Sequence, residues 1–237
     1  MNSIKIAAGL KQIARFASED LLGGPRPCCL ATVINVHKGA TFLFLGFCLW
    51  YYRAIGAPEL TYFALHGSYG IVWLIKDLAF PDVKWQVCIT YAGCLSTSLF
   101  VLWPYWFIGW LLLSGCVVPT YPTREPIWLA GCITLSVTGV SIMIAADAQK
   151  FFTLRERRQL ITDGMHRYIR HPNYLGEMMI YGSFALVVLH WIPAVILAYI
   201  WFGVFLPNMI MKEVSLARYP EWNAYRARSW WLIPGVI

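Results

Sequence analysis

From residue 40 to residue 211 the chain is a succession of apolar runs broken at prolines, and this pattern constrains its fold more than any other feature. A hydrocarbon layer about 30 Å thick is crossed by about 20 mostly apolar residues in a helix. Away from water, only a helix or a closed barrel pairs all of its own amides. The candidate spans are 40–55, 60–78, 87–103, 105–118, 127–146, 173–190 and 192–211. Pro58, Pro81, Pro126 and Pro193 stand at the joints, where a missing amide hydrogen and a fixed φ end or begin helices. The runs on either side of Pro104 read as two tilted helices or as one span plus a re-entrant piece. The expected fold is all-α: a polytopic transmembrane helix bundle of six to seven spans.

Composition agrees. Only 13% of residues are charged, against about 25% in a soluble domain, and 12 are Trp, a residue that gathers at membrane–water interfaces. The net charge of +7 would raise nucleic acid as a partner in a soluble chain. Here the cations lie between and beside apolar runs, where they set orientation and touch anionic headgroups, so the expected partner is the lipid bilayer and no nucleic acid. The seven Cys show no metal-ligand spacing, and no metal is expected. Phosphate loops, dinucleotide glycine fingerprints and nucleophile elbows are missing from the sequence.

Three regions follow. Residues 1–39 form an N-terminal interfacial segment. Ile6, Leu10, Ile13 and Ala14 share a helical stripe beside Lys5, Lys11 and Arg15, which suits a helix lying on the membrane and also has the character of a mitochondrial targeting segment. Residues 40–146 form a transmembrane bundle, and residues 147–237 a polar C-terminal region. Six basic residues fall between Lys150 and Arg170, so this block is expected on the cytosolic or matrix side. A basic N-terminus on that same side needs an even number of spans before Asp147, whereas the apolar runs count five.

The chemistry is expected in that C-terminal region. Pro172 sets a helix start, which puts Asn173 and Glu177 at i and i+4 on one face, and a carboxylate at bilayer depth marks a site or a paired charge. Arg167, Arg170 and His171 supply cations suited to phosphate. The tail adds Lys212, Glu213, Arg218, Trp222, Tyr225, Arg226 and Arg228, read either as an interfacial anchor or as a lid. His66, Tyr69, Trp73, Lys76 and Asp77 recur at three- and four-residue spacing in the second span, and the structural reading, an interhelical hydrogen-bond set, is favoured over a polar cavity.

Asp147-x-Gln149-Lys150, the run from Gly164 through Arg167, Arg170-His171-Pro172-Asn173-Tyr174 to Gly176-Glu177, and the tail from Lys212-Glu213 through Tyr225 and Arg228 to Pro234 resemble the steroid 5-alpha-reductase-like C-terminal domain family. That family sits with sterol reductases, isoprenylcysteine carboxyl methyltransferases and phospholipid methyltransferases in one membrane superfamily. The resemblance covers the C-terminal region. It implies a cofactor pocket on the cytosolic or matrix side, with a membrane lipid as substrate. Arg167, Arg170, His171, Asn173, Tyr225 and Arg228 would bind the cofactor, and Tyr174 or Glu177 would serve as the catalytic acid. The expected activity is NADPH-dependent reduction of a steroid- or enone-like double bond. The alternatives are methyl transfer from S-adenosylmethionine to a lipid or isoprenylcysteine, and a catalytically silent subunit with partner chains in a membrane complex. The endoplasmic reticulum and the mitochondrial inner membrane both suit such a protein.

Overall fold

The computed structural model describes residues 2–236, which are helical apart from connecting segments and one pair of two-residue strands. The helices are α1 (Asn2–Arg15), α2 (Leu30–Tyr52), α3 (Ala57–Ala79), α4 (Tyr91–Thr97) and α5 (Trp103–Leu113). They continue with α6 (Glu125–Glu156), α7 (Pro172–Val188), α8 (Trp191–Ile200), α9 (Leu206–Leu216) and α10 (Trp222–Arg228). Among the described residues, four continuous helices are long and apolar enough to cross a membrane: α2, Tyr91–Leu113, α6 and Trp191–Leu216. Packed among them, α3 and α7 have 23 and 17 residues, lengths of about 35 and about 26 Å. The chain is an integral membrane protein.

The two apolar runs around Pro104 form one helix, Tyr91–Leu113. Proline cannot donate to the carbonyl four residues back, which would ordinarily end or kink the helix. A π turn, Ser98–Leu102, precedes it, and Trp103 donates to the Ser98 carbonyl five residues back, so the axis carries on. The same device recurs in the last pass, where the π turn Trp201–Phe205 precedes Pro207 and Leu206 donates to the Trp201 carbonyl. With α3 counted as a pass on its length, four helices come before the end of α6, the even number that a basic N-terminus on the side of the basic turn requires. In agreement, α1 packs on α9, at the polar end of the bundle. Its Ala7 is buried, whereas Ile6, Leu10 and Ile13 face outward as an interfacial stripe would.

Helix α2 begins at Leu30, well ahead of the apolar run at residue 40. His37 and Lys38 lower the local hydropathy, yet both are buried. Lys38 Nζ donates to the Tyr181 hydroxyl at 2.7 Å and lies 4.4 Å from the Tyr69 ring centre, contacts that compensate its desolvation. His37 stacks on Trp106 with ring centres 4.4 Å apart. The polar set in α3 also faces neighbouring helices. Trp73 Nε1 donates to Asn35 at 3.2 Å, Asn35 donates to Asp77 at 2.6 Å, and Lys76 pairs with Asp147 at 2.8 Å.

Helices α6 and α7 approach closely through two glycines. A Cβ on Gly176 would lie 2.6 Å from the Gly139 carbonyl oxygen, and one on Gly139 would lie 2.7 Å from that of Gly176. Backbone contact this close needs hydrogen in place of a side chain, as is common between membrane helices. It brings the first turns of α7 against the middle of α6, at Gly139 and Met143, one turn short of the polar stretch that begins at Asp147.

Candidate functional site

Asp147, Gln149 and Lys150 each do a different job at the end of α6. Asp147 pairs with Lys76 of α3. Gln149 accepts from the Met165 amide at 2.8 Å and donates to the Asp163 carbonyl at 3.1 Å, which fixes the turn that follows the helix. Gly164 sits directly under that amide at φ +52°, where a Cβ would meet Gln149 Nε2 at 2.6 Å. Lys150 bridges to Asp82 at 3.1 Å and so joins the α3–α4 loop to α6.

The C-terminal tail is fastened back onto this turn. Trp230 donates to the Tyr168 carbonyl at 2.7 Å, and the Arg170 amide donates to the Trp230 carbonyl at 2.9 Å. The Tyr225 hydroxyl donates to the His166 carbonyl at 2.6 Å. The Arg170 side chain is the centre of the clasp. Its Nε meets Glu213 at 2.5 Å, and its Nη1 donates to the carbonyl oxygens of Ser229 and Arg226. His171, fully buried, lies 3.4 Å from the same Glu213 carboxylate. Burial pushes the His171 imidazole down to about 4 despite that neighbour. His166 is likewise held at about 4, by burial first and then by Lys212.

These contacts enclose a cavity of about 520 Å³ between α6, α9, the tail, the turn after α6 and the N-terminal helix. Its lining carries seven cations, Lys11, Lys84, Lys150, Arg158, Arg170, Lys212 and Arg218, and no carboxylate. Among the described residues, Lys150 and Arg170 have acidic partners, and Lys11, Lys84, Arg158, Lys212 and Arg218 make no ion pair. His166 Nε2 is a buried nitrogen without a hydrogen-bond partner in the same wall. Several cations and an uncommitted imidazole in one recess match a polyanion in charge and in hydrogen-bonding capacity.

Of the residues expected from sequence, Arg170, Tyr174 and Tyr225 line this cavity. His171 is packed behind the wall, with ring centres 5.9 Å from both Tyr174 and Trp231. Asn173 is half-buried, its Oδ1 lacks a partner, and it does not line the cavity. Glu177, further along α7, stands outside the lining as well. Arg167 and Arg228 are exposed, and Arg167 stacks on Tyr168. Sequence reasoning did not assign Lys11, Lys84, Arg158 or His166 to the site. The first two lie far away in sequence, and only the packing of α1 on α9 and the Asp82–Lys150 bridge bring them in.

Comparison with known proteins gives two results. The family model described as "Protein of unknown function (DUF1295)" matches residues 70–229, which takes in the bundle from the last part of α3 onward and the cavity lining apart from Lys11. Delta(14)-sterol reductase from Ascobolus immersus is 22% identical over 189 residues, 69% of this chain and 43% of the relative. The chain thus spans less than half the length of that relative. A match over well more than half of the sequence places the chain in the DUF1295 family.

Proposed function

We propose that this chain is a membrane-embedded reductase that uses NADPH to reduce a carbon–carbon double bond in a steroid- or enone-like lipid. The observation that carries the reading is the sign of the cavity: seven lining cations without a carboxylate. A diphosphate with a further ribose phosphate matches that lining. S-adenosylmethionine carries a cationic sulfonium and an ammonium group, and the cavity offers neither an acidic partner. Similarity to a protein named Delta(14)-sterol reductase points the same way.

Lys11, Lys84, Arg158, Lys212 and Arg218 would hold the phosphate groups, because none of them is committed to an ion pair among the described residues. His166, uncharged near neutral pH, would offer Nε2 as a hydrogen-bonding group. When bound, the nicotinamide supplies the hydride. Tyr174 carries a phenolic proton in the cavity wall at the start of α7, where it can serve as general acid. Arg170 acts on this site as a positioning residue, since its guanidinium is occupied by Glu213 and the tail carbonyls.

Titration of the detergent-solubilised protein with NADPH and with S-adenosylmethionine, side by side in a calorimeter, tests this. NADPH should bind and weaken steeply with added salt, and Lys212→Glu should weaken it further by at least about tenfold. Binding of S-adenosylmethionine alone would replace the proposal with methyl transfer. Binding of neither by protein that melts cooperatively would point to the silent subunit.

A further inference from the structure

Four cysteines gather where the arm behind α1 meets the start of α4. Cys28 and Cys29 pair antiparallel with Cys88 and Ile89, which sets Cys29 opposite Cys88. On the other side of this bridge, Cys28 Sγ lies 3.4 Å from Cys94 Sγ, although 66 positions separate them in sequence. Both thiols are free and half-buried, and neither lines the cavity.

The backbone on both sides holds the two sulfurs in register. The Thr90 amide donates to the Glu19 carbonyl at 3.1 Å, and the Thr90 hydroxyl donates to the Leu21 carbonyl at 2.9 Å. Gly93 lies so close beneath the arm that a Cβ on it would overlap the Ser18 carbonyl. Bringing the sulfurs to a bond length of about 2.05 Å takes side-chain rotation of little more than an ångström. The site lies at the end of the bundle that carries the basic turn, the end that the positive-inside rule assigns to the cytosol or matrix, where thiols are ordinarily kept reduced and disulfides serve as reversible switches.

We propose that Cys28 and Cys94 are a redox-active dithiol that small disulfides of the glutathione class oxidise to an intramolecular disulfide. The thiolate of one cysteine attacks a sulfur of glutathione disulfide and expels one glutathione thiolate, leaving a mixed disulfide. The thiolate of the second attacks the protein sulfur of that mixed disulfide and expels the second glutathione. Two protein thiols lose two protons and two electrons, and one glutathione disulfide becomes two molecules of glutathione. The closed bond fixes the arm that presents α1, and with it Lys11, at the cavity.

The test uses the full chain in detergent, equilibrated in buffers of increasing glutathione disulfide content, alkylated, digested without reduction and analysed by mass spectrometry. A peptide linking Cys28 to Cys94, lighter by two hydrogens and restored by dithiothreitol, is expected. It should exceed the glutathione adducts of these two residues by at least about tenfold, because the second step is intramolecular. Cys94→Ser should instead trap glutathione on Cys28, and Cys28→Ser should trap it on Cys94. Persistently free thiols, separate adducts on both residues of the native chain, or a Cys29–Cys88 link in place of the expected one would overturn the proposal.

Discussion

Lys76 and Asp147 tie α3 to α6 through an ion pair of 2.8 Å whose side chains are 4% and 12% exposed. The ammonium also lies 4.6 Å from the Trp73 ring centre and 5.1 Å from that of Trp85. At an effective dielectric near 20, unit charges this close attract by about 6 kcal/mol, but the cost of stripping both from water offsets most of that gain. Removing one partner strands the other without compensation, a loss of about 3–5 kcal/mol. Lys76→Met and Asp147→Leu should therefore each lower the melting midpoint by about 6–20 °C, from about 2–4 °C per kcal/mol in a chain of this size. The double variant should recover most of the loss, because it leaves two apolar groups facing each other in an apolar setting. Melting followed by tryptophan fluorescence in detergent, across the four members of the cycle, measures the coupling. A double variant as unstable as the sum of the two singles would refute the argument. A second readout separates structure from function. Neither residue lines the large cavity, so NADPH binding well below each midpoint should stay within about twofold of the native chain. A stable variant that no longer binds would move the pair from scaffold to site.

Three further outcomes follow from the same geometry. Arg170→Ala removes the centre of the tail clasp and leaves Glu213 and the Ser229 carbonyl without their donor, so it should cost about 3 kcal/mol and expose the last twenty or so residues to limited proteolysis; an unchanged digestion pattern would mean that the clasp is dispensable. Gly176→Ala gains up to about 1 kcal/mol of helix propensity, but its Cβ would sit 2.6 Å from a backbone oxygen of α6, so a net loss of about 1–3 kcal/mol is expected; a raised melting midpoint would show that the two helices can part freely. The imidazoles of His166 and His171 titrate near 4 when folded and near 6.5 when unfolded, so the unfolded chain takes up more protons between these values. Stability is then complete above about pH 6.5 and falls as pH drops toward 4, by on the order of 3 kcal/mol per histidine. Replacing both by Phe should flatten the melting midpoint across that window.

The bundle was legible because apolar periodicity and proline positions report directly on a lipid environment. The Pro104 region was not, since whether a proline ends a helix depends on the turn before it, and a π turn over Ser98–Leu102 leaves no mark in composition. The start of α2 was hidden for a related reason. Lys38 reads as the edge of a span, and only its Tyr181 and Tyr69 contacts make burial tolerable. In the polar region the sequence pointed to the right segments but not to each residue's orientation. Arg170, which reads as a phosphate ligand, is taken up by Glu213 and the tail. Lys11 and Lys84 carry no local signal of a site and reach the cavity only through tertiary packing.

How the acids are placed accounts for the sign of the cavity. Asp82, Asp147, Asp163 and Glu213 all belong to elements that form or support it, and each is turned toward a partner, Asp82 and Glu213 toward cations of the wall and Asp147 and Asp163 toward residues outside the lining. Asp82 faces Lys150, Asp147 faces Lys76, Asp163 faces Gln149, and Glu213 faces Arg170. Each pairing joins two parts of the scaffold and keeps a carboxylate out of the recess, so tight packing and positive potential come from the same contacts. Lys212 and Glu213 show the division within one turn of α9: the lysine lines the cavity, while the glutamate holds the clasp behind it. Exchanging these two residues would put a negative charge in the cavity and a cation against Arg170. Anion binding and tail docking should therefore be lost together, although the overall charge of the chain is unchanged.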